Sequence, residues 1–164
     1  MTYLKSLLLG LIFGATLYQP MFAATPNIKS FTPDSMDEIL NANQHRSLIL
    51  VLWSIDCPSC LEEMQLLSDF HQQYPQKSLI MIAIDPPSAH EQIQLYLEQY
   101  ELTDIENWIF AEQDPEVLRR TIDPAWRGEI PRTYFYSSTG TRKGYSGLLR
   151  KTELEKLSRD KRLQ

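Results

Sequence analysis

The sequence predicts an α/β domain in which a mixed central sheet is covered by helices on both faces. Three observations carry this. Short apolar runs alternate with segments of helical period along most of the chain. Two of those runs, at 48–53 and 79–84, contain no polar residue, as expected of strands buried on both faces. The chain then closes with a strand–turn–strand pattern and one more helix.

In order, Thr25 to Phe31 reads as a short lead-in. Ser35 to Asn43 reads as a helix, with Asp37 and Glu38 at the positive end of its dipole. Ser47 to Trp53 is the first buried strand. From Pro58 to Gln73, Leu61, Met64, Leu67 and Phe70 recur at helical spacing, and Pro75 closes the segment. Leu79 to Ile84 is the second strand, ended by Asp85-Pro86-Pro87. His90 to Tyr100 is a helix with Ile93, Leu97 and Tyr100 on one stripe. Trp108 to Phe110 is a short strand, and Pro115 to Thr121 a short helix with proline first. Thr133 to Ser137 is a strand that Ser138-Thr139-Gly140 turns into a partner at Arg142 to Tyr145. Thr152-x-x-Glu155 predicts a capping box for a last helix reaching Arg159.

Composition narrows the function classes. The 164 residues, 43% hydrophobic and 23% charged, suffice for one sizeable core and exclude wholesale disorder. A net charge of −5 disfavours nucleic acid as a partner. Two cysteines exclude a disulfide-dense scaffold and a four-thiolate zinc site. Charge is uneven: residues 25–118 hold 3 basic and 16 acidic side chains, whereas 119–164 hold 12 and 5. The two parts are expected to interleave and neutralise one another; a basic, partner-facing surface is the alternative.

Lys5 precedes an apolar run from Leu7 to Tyr18, followed by Gln19-Pro20 and then Met21-Phe22-Ala23-Ala24. A basic start, about a dozen apolar residues and small residues at the end describe a secretory signal peptide over residues 1–24. The run is shorter than the roughly 20 residues of a comfortable membrane span. An uncleaved anchor is the alternative, and either puts the domain where disulfides persist.

The chemistry lies in Cys57-Pro58-Ser59-Cys60, three residues after the first buried strand and at the start of a helix. Cysteines at i and i+3 of a first helical turn share a face and can close a disulfide with little backbone movement. Cys57 is expected at the N-cap, where free N–H groups and the dipole favour a thiolate by at most ~2 kcal/mol. Cys60, one turn deeper, is expected to be the more buried thiol. Cys57 is then the attacking nucleophile and Cys60 the resolving thiol. Metal binding and a purely structural bridge are the other readings. The three histidines, His45, His71 and His90, lack ligand spacing, and a bridge across two residues restricts little chain.

Trp53-x-x-x-Cys57-x-x-Cys60 after a hydrophobic strand, with Ile130-Pro131-Arg132-Thr133 before a late strand, resembles the thioredoxin superfamily from roughly Ser35 onward. The resemblance implies a thioredoxin-like domain over residues 25–164. In it Pro131 is the cis-proline beside the active site, Ile130 offers backbone hydrogen bonds to an extended substrate, and Trp53 belongs to the same substrate-binding set. Val51 stands where thioredoxin itself has an acidic residue. Glu63, three residues after Cys60, instead matches the CxxCxxE pattern of the TlpA-like reductases, including those of cytochrome c maturation. The segment Asp85 to Thr121 also resembles that branch's insertion. Asp56 and Arg132 depart from the branch's pattern.

The resemblance implies a periplasmic, monomeric thiol–disulfide reductase acting on protein disulfides. It would be re-reduced by a membrane thiol reductant, with no cofactor, no metal and no nucleic acid. A disulfide-forming oxidase is the alternative within enzymes, although the helical domain inserted in such oxidases has no room here. A redox-inactive, copper-handling module is the alternative outside them. Two carboxylates have expectations of their own. Glu63 falls on the helix face of Cys57 and Cys60, where burial against the sheet would raise its pKa; otherwise it is solvated like Glu62. Asp56 either opposes the Cys57 thiolate or points into solvent.

Overall fold

In a computed structural model, residues 27–160 are described. The segment read as a secretory signal, residues 1–24, lies outside the described residues. The described residues contain eleven helices and strands and a 3-10 turn at Pro87–Ala89. They are β1 (Ile28–Phe31), α1 (Ser35–Ala42), β2 (Leu48–Trp53), α2 (Pro58–Gln73) and β3 (Ser78–Ala83). After the turn come α3 (His90–Gln99), β4 (Glu106–Phe110), α4 (Pro115–Ile122), β5 (Arg132–Tyr136), β6 (Arg142–Ser146) and α5 (Lys151–Ser158).

The strands form one mixed sheet in the order β1-β4-β3-β2-β5-β6. The first four are parallel, β5 runs antiparallel to β2, and β6 antiparallel to β5. Strand β2 is buried along its whole length, which explains its unbroken apolar sequence. Ile49, Val51 and Trp53 face a core formed with α2, α3 and α5. Leu48, Leu50 and Leu52 face a second core formed with α1 and α4. Both faces of the sheet are therefore covered, as the sequence predicts.

Two expectations are corrected. The segment read as a lead-in contains β1, which pairs in parallel with β4 as an edge strand. Its four residues bury only Phe31 fully, and its partner lies 79 positions away, so no local pattern marks it. The last helix is also capped two residues earlier than Thr152. Arg150 is the N-cap, and its backbone N–H donates to Glu153 Oε2 at 3.0 Å. A carboxylate at N3 thus satisfies the N-cap amide even though the N-cap residue is not Ser or Thr. Across the division between acidic and basic parts, Glu116 pairs with Arg119 and with Arg120 inside α4, the latter at 3.1 Å.

The two-core arrangement predicts a separation of effects. Leu52 is wholly buried in the core away from α2. Leu52→Ala should cost about 2–5 kcal/mol of stability in urea unfolding. The folded fraction should keep the wild-type rate of Cys57 alkylation; a changed rate would mean that the two faces are not independent.

Candidate active site at the start of α2

The end of β2 delivers Cys57 to the start of α2 after a link of three residues, Ser54, Ile55 and Asp56. Cys57 has extended backbone angles and is the N-cap. Its Sγ accepts the Cys60 backbone N–H at 3.1 Å, which supplies one of the acceptors that a helix start lacks. Pro58 occupies the first helical position, where a missing N–H removes no helical bond. Cys57 and Cys60 are joined as a disulfide with Cα atoms 5.2 Å apart. Cys57 is 8% exposed and Cys60 2%, so any approaching group meets Cys57 first.

The link itself is held from below. Ser54 Oγ donates to Asp85 Oδ1 at 2.7 Å, and Ile55 N–H donates to Asp85 Oδ2 at 3.3 Å. Asp56 N–H donates to Ser54 Oγ at 3.1 Å, and Cys57 N–H to the Ser54 carbonyl at 3.2 Å. Asp85 is buried, and burial pushes its carboxyl pKa up against the pull of the Ser54 and Ile55 bonds. In the sequence Asp85 reads only as the stop after β3. Thirty positions separate it from Ile55, and nothing local signals the contact. The side chain of Asp56 is at the exposed surface.

Glu63 lies in the buried stripe of α2 with Cys60, Met64 and Leu67, whereas Glu62 is exposed. It is 1% exposed, and burial raises its pKa from 4.5 to about 7, opposed by one hydrogen bond. That bond is donated by Leu149 N–H to Oε1 at 3.1 Å. Oε2 is buried with no hydrogen-bond partner among the described residues, which leaves it as the oxygen able to carry a proton.

The Ile130–Pro131 peptide is cis. The register of β5 against β2 pairs Arg132 with Leu52, so Pro131 lies level with Trp53 at the mouth of the link to Cys57. The Pro131 carbonyl accepts Gly147 N–H at 2.8 Å. Gly147 has φ +91°, a conformation that favours glycine, as the chain leaves β6. Two residues later Leu149 reaches Glu63, so the segment between β6 and α5 ties the cis-proline loop to the buried carboxyl.

The other residues singled out from sequence divide. Ile130 is half-buried and packs against both cores. Trp53, expected among the substrate-binding residues, is 2% exposed and lies in the core with Cys57 and Cys60. Arg132 is engaged by its own chain: Nη1 donates to Ser146 Oγ at 2.6 Å and the guanidinium lies 4.6 Å from the Tyr134 ring centre. Gly144 makes this path possible, because a Cβ there would fall 2.3 Å from Arg132 Nη2. Among the described residues, no group of three or more His, Cys, Asp or Glu side chains is gathered as a metal site.

The Glu63 environment has a sign that can be measured. Between pH about 4.5 and about 7 the folded chain holds a proton there that the unfolded chain has lost. Stability contributed by this group is therefore lost as pH rises through that window, at up to ~1.4 kcal/mol per pH unit. Urea unfolding of the oxidised protein across the window should give a steeper decline for the wild type than for Glu63→Gln. Parallel curves would show that Glu63 titrates alike in both states.

No family model and no curated protein sequence matches the chain. Solved structures do resemble it. A secreted disulfide oxidoreductase of Mycobacterium tuberculosis, homologous to E. coli DsbE, superposes with a TM-score of 0.59 at 21% identity, over 72% of this chain and 84% of that one. StoA from Bacillus subtilis gives 0.52 at 18% identity over 71% and 84%. A thiol:disulfide interchange protein of the thioredoxin family from Chlorobium tepidum gives 0.59 at 15% identity over 73% and 81%. The chain thus has the fold shared by thiol–disulfide oxidoreductases of the thioredoxin superfamily, with a cysteine pair at the start of α2.

Proposed function

We propose that this protein is an extracytoplasmic thiol–disulfide oxidoreductase that reduces disulfides in other proteins. The observation that carries the reading is the Cys57–Cys60 disulfide at the N-terminus of α2, level with cis-Pro131. A bridge spanning two intervening residues adds little to stability. Its position at a helix start is instead the setting that lowers a thiol pKa and makes it reactive. The export signal read in residues 1–24 supports an extracytoplasmic, periplasmic setting, and the neighbours include a secreted protein. No helix among the described residues is long and apolar enough to cross a membrane.

In the reduced protein the Cys57 thiolate attacks one sulfur of a substrate disulfide. The substrate S–S bond breaks, one substrate sulfur leaves as a thiolate, and a mixed disulfide with Cys57 forms. Cys60, after losing its proton, attacks Cys57 Sγ and expels the second substrate sulfur. Two electrons pass from the dithiol to the substrate, and the Cys57–Cys60 bond is remade. Glu63 is suited to take the Cys60 proton: it shares the helix face of Cys60, its pKa is about 7, and Oε2 is unpartnered. The backbone at Ile130 and Pro131 is suited to hold an extended substrate segment against Cys57. A membrane thiol reductant is the proposed electron donor, and the protein acts as a monomer without a cofactor. Within this class, the resemblance to the TlpA-like branch suggests the cysteines of cytochrome c maturation as the narrower substrate.

The test separates the roles. Cys60→Ser should trap mixed disulfides with substrate proteins and Cys57→Ser none; equal trapping would refute the assignment. A Cys57/Cys60 potential near ~−270 mV fits a reductant, whereas one near ~−120 mV would make the protein an oxidase. Glu63→Gln should slow single-turnover reduction about tenfold or more at the Cys60 step, with Glu62→Gln near wild type. Matching rates for the two variants would remove Glu63 from the mechanism.

A further inference from the structure

The three-residue link before Cys57 has no regular secondary structure, yet its polar groups converge on one buried side chain. The ladder between β2 and β3 ends with Trp53 opposite Ala83 and is extended by Ile84 N–H donating to the Trp53 carbonyl at 2.9 Å. That extra bond brings Asp85 level with Ser54 and Ile55. Asp85 is 5% exposed, and each carboxylate oxygen accepts one donor from the link: Ser54 Oγ at 2.7 Å and Ile55 N–H at 3.3 Å. Ser54 Oγ in turn accepts Asp56 N–H, and the Ser54 carbonyl accepts Cys57 N–H. One side chain from β3's end thus organises the path from β2 to the cysteine.

We propose that Asp85 is a positioning residue for Cys57, holding the link through Ser54 and Ile55 so that Cys57 Sγ stays in register with the Cys60 N–H. The inference rests on the reading of Cys57 as the attacking thiol. A buried carboxylate is tolerated only where hydrogen bonds replace its hydration. Here both oxygens are used, a requirement that asparagine, with a single acceptor oxygen, cannot meet. The charge of Asp85 acts in the opposite sense to its geometry. With Asp56, it is one of two carboxylates at the link, and negative charge near Cys57 opposes a thiolate. Geometry favours the thiolate, by keeping its sulfur on the Cys60 N–H and at the helix start.

The opposed signs make the proposal testable. The rate of Cys57 alkylation by iodoacetamide is measured against pH in the reduced full chain, with peptide mass identifying the modified cysteine. The proteins are the wild type, Ser54→Ala, Asp85→Asn and the double variant. Loss of the anchor should raise the apparent Cys57 pKa in both single variants and slow alkylation at neutral pH on the order of fivefold. The double variant should be no slower than the slower single one, because both changes cut the same link. An apparent pKa in Asp85→Asn that is lowered, by removal of charge alone, or unchanged would overturn the proposal. So would multiplied effects in the double variant, or a wild-type profile in Ser54→Ala, which keeps the carboxylate and guards against a folding defect at Asp85. The assay needs no substrate protein, so a chain that reduced no disulfide would fail the proposed function without deciding this point.

Discussion

The hydrogen-bonded seating of β2 between β3 and β5 is the constraint on which the rest of the site depends. Parallel bonds to β3 and antiparallel bonds to β5 fix the end of β2 in three dimensions. That end is where three separate parts of the chain converge. From β2 itself come the link and Cys57; from β3 comes Asp85; from the start of β5 comes cis-Pro131. Side chains filling both faces of β2 leave it no freedom to slip, since a one-residue shift would exchange the two cores. The path to Cys57 starts from this fixed end, and the Cys57 sulfur accepts the Cys60 N–H.

Two buried carboxyl groups flank that seating and differ in how they are satisfied. Asp85 has a donor on each oxygen, and its work is geometric. Glu63 has a donor on Oε1 alone, and its second oxygen is buried without a partner. A fully bonded carboxylate is a brace. A half-bonded one whose pKa lies near 7 is suited to exchange a proton. The contrast follows from what each touches: the link supplies a hydroxyl and an amide to Asp85, whereas the segment after β6 supplies a single amide to Glu63. Because the Gly147 and Leu149 amides bind the Pro131 carbonyl and Glu63 in turn, the cis-proline loop and the carboxyl are set by one short strap.

The sequence by itself determined the parts whose causes are local. The unbroken apolar run of β2 reads directly as a strand buried on both faces, and Cys57-Pro58 as the start of α2 with Cys57 at its N-cap. The spacing of Cys60 and Glu63 puts them on one helix face, and that face is buried in the fold. Tertiary structure decided what depends on distant partners. Strand β1 has too few buried residues to mark itself and exists through its pairing with β4. Trp53 closes β2 and is packed with residues of α2 in the core, 2% exposed. Asp85 ends a strand by its chemistry and becomes an anchor because the sheet brings it beside a loop 30 positions earlier. The Leu149 amide that meets Glu63 comes from 86 positions away. Periodicity and helix-end chemistry are encoded within a few residues of one another. Which buried polar group finds which partner is fixed by the sheet register, and that register is a property of the whole chain.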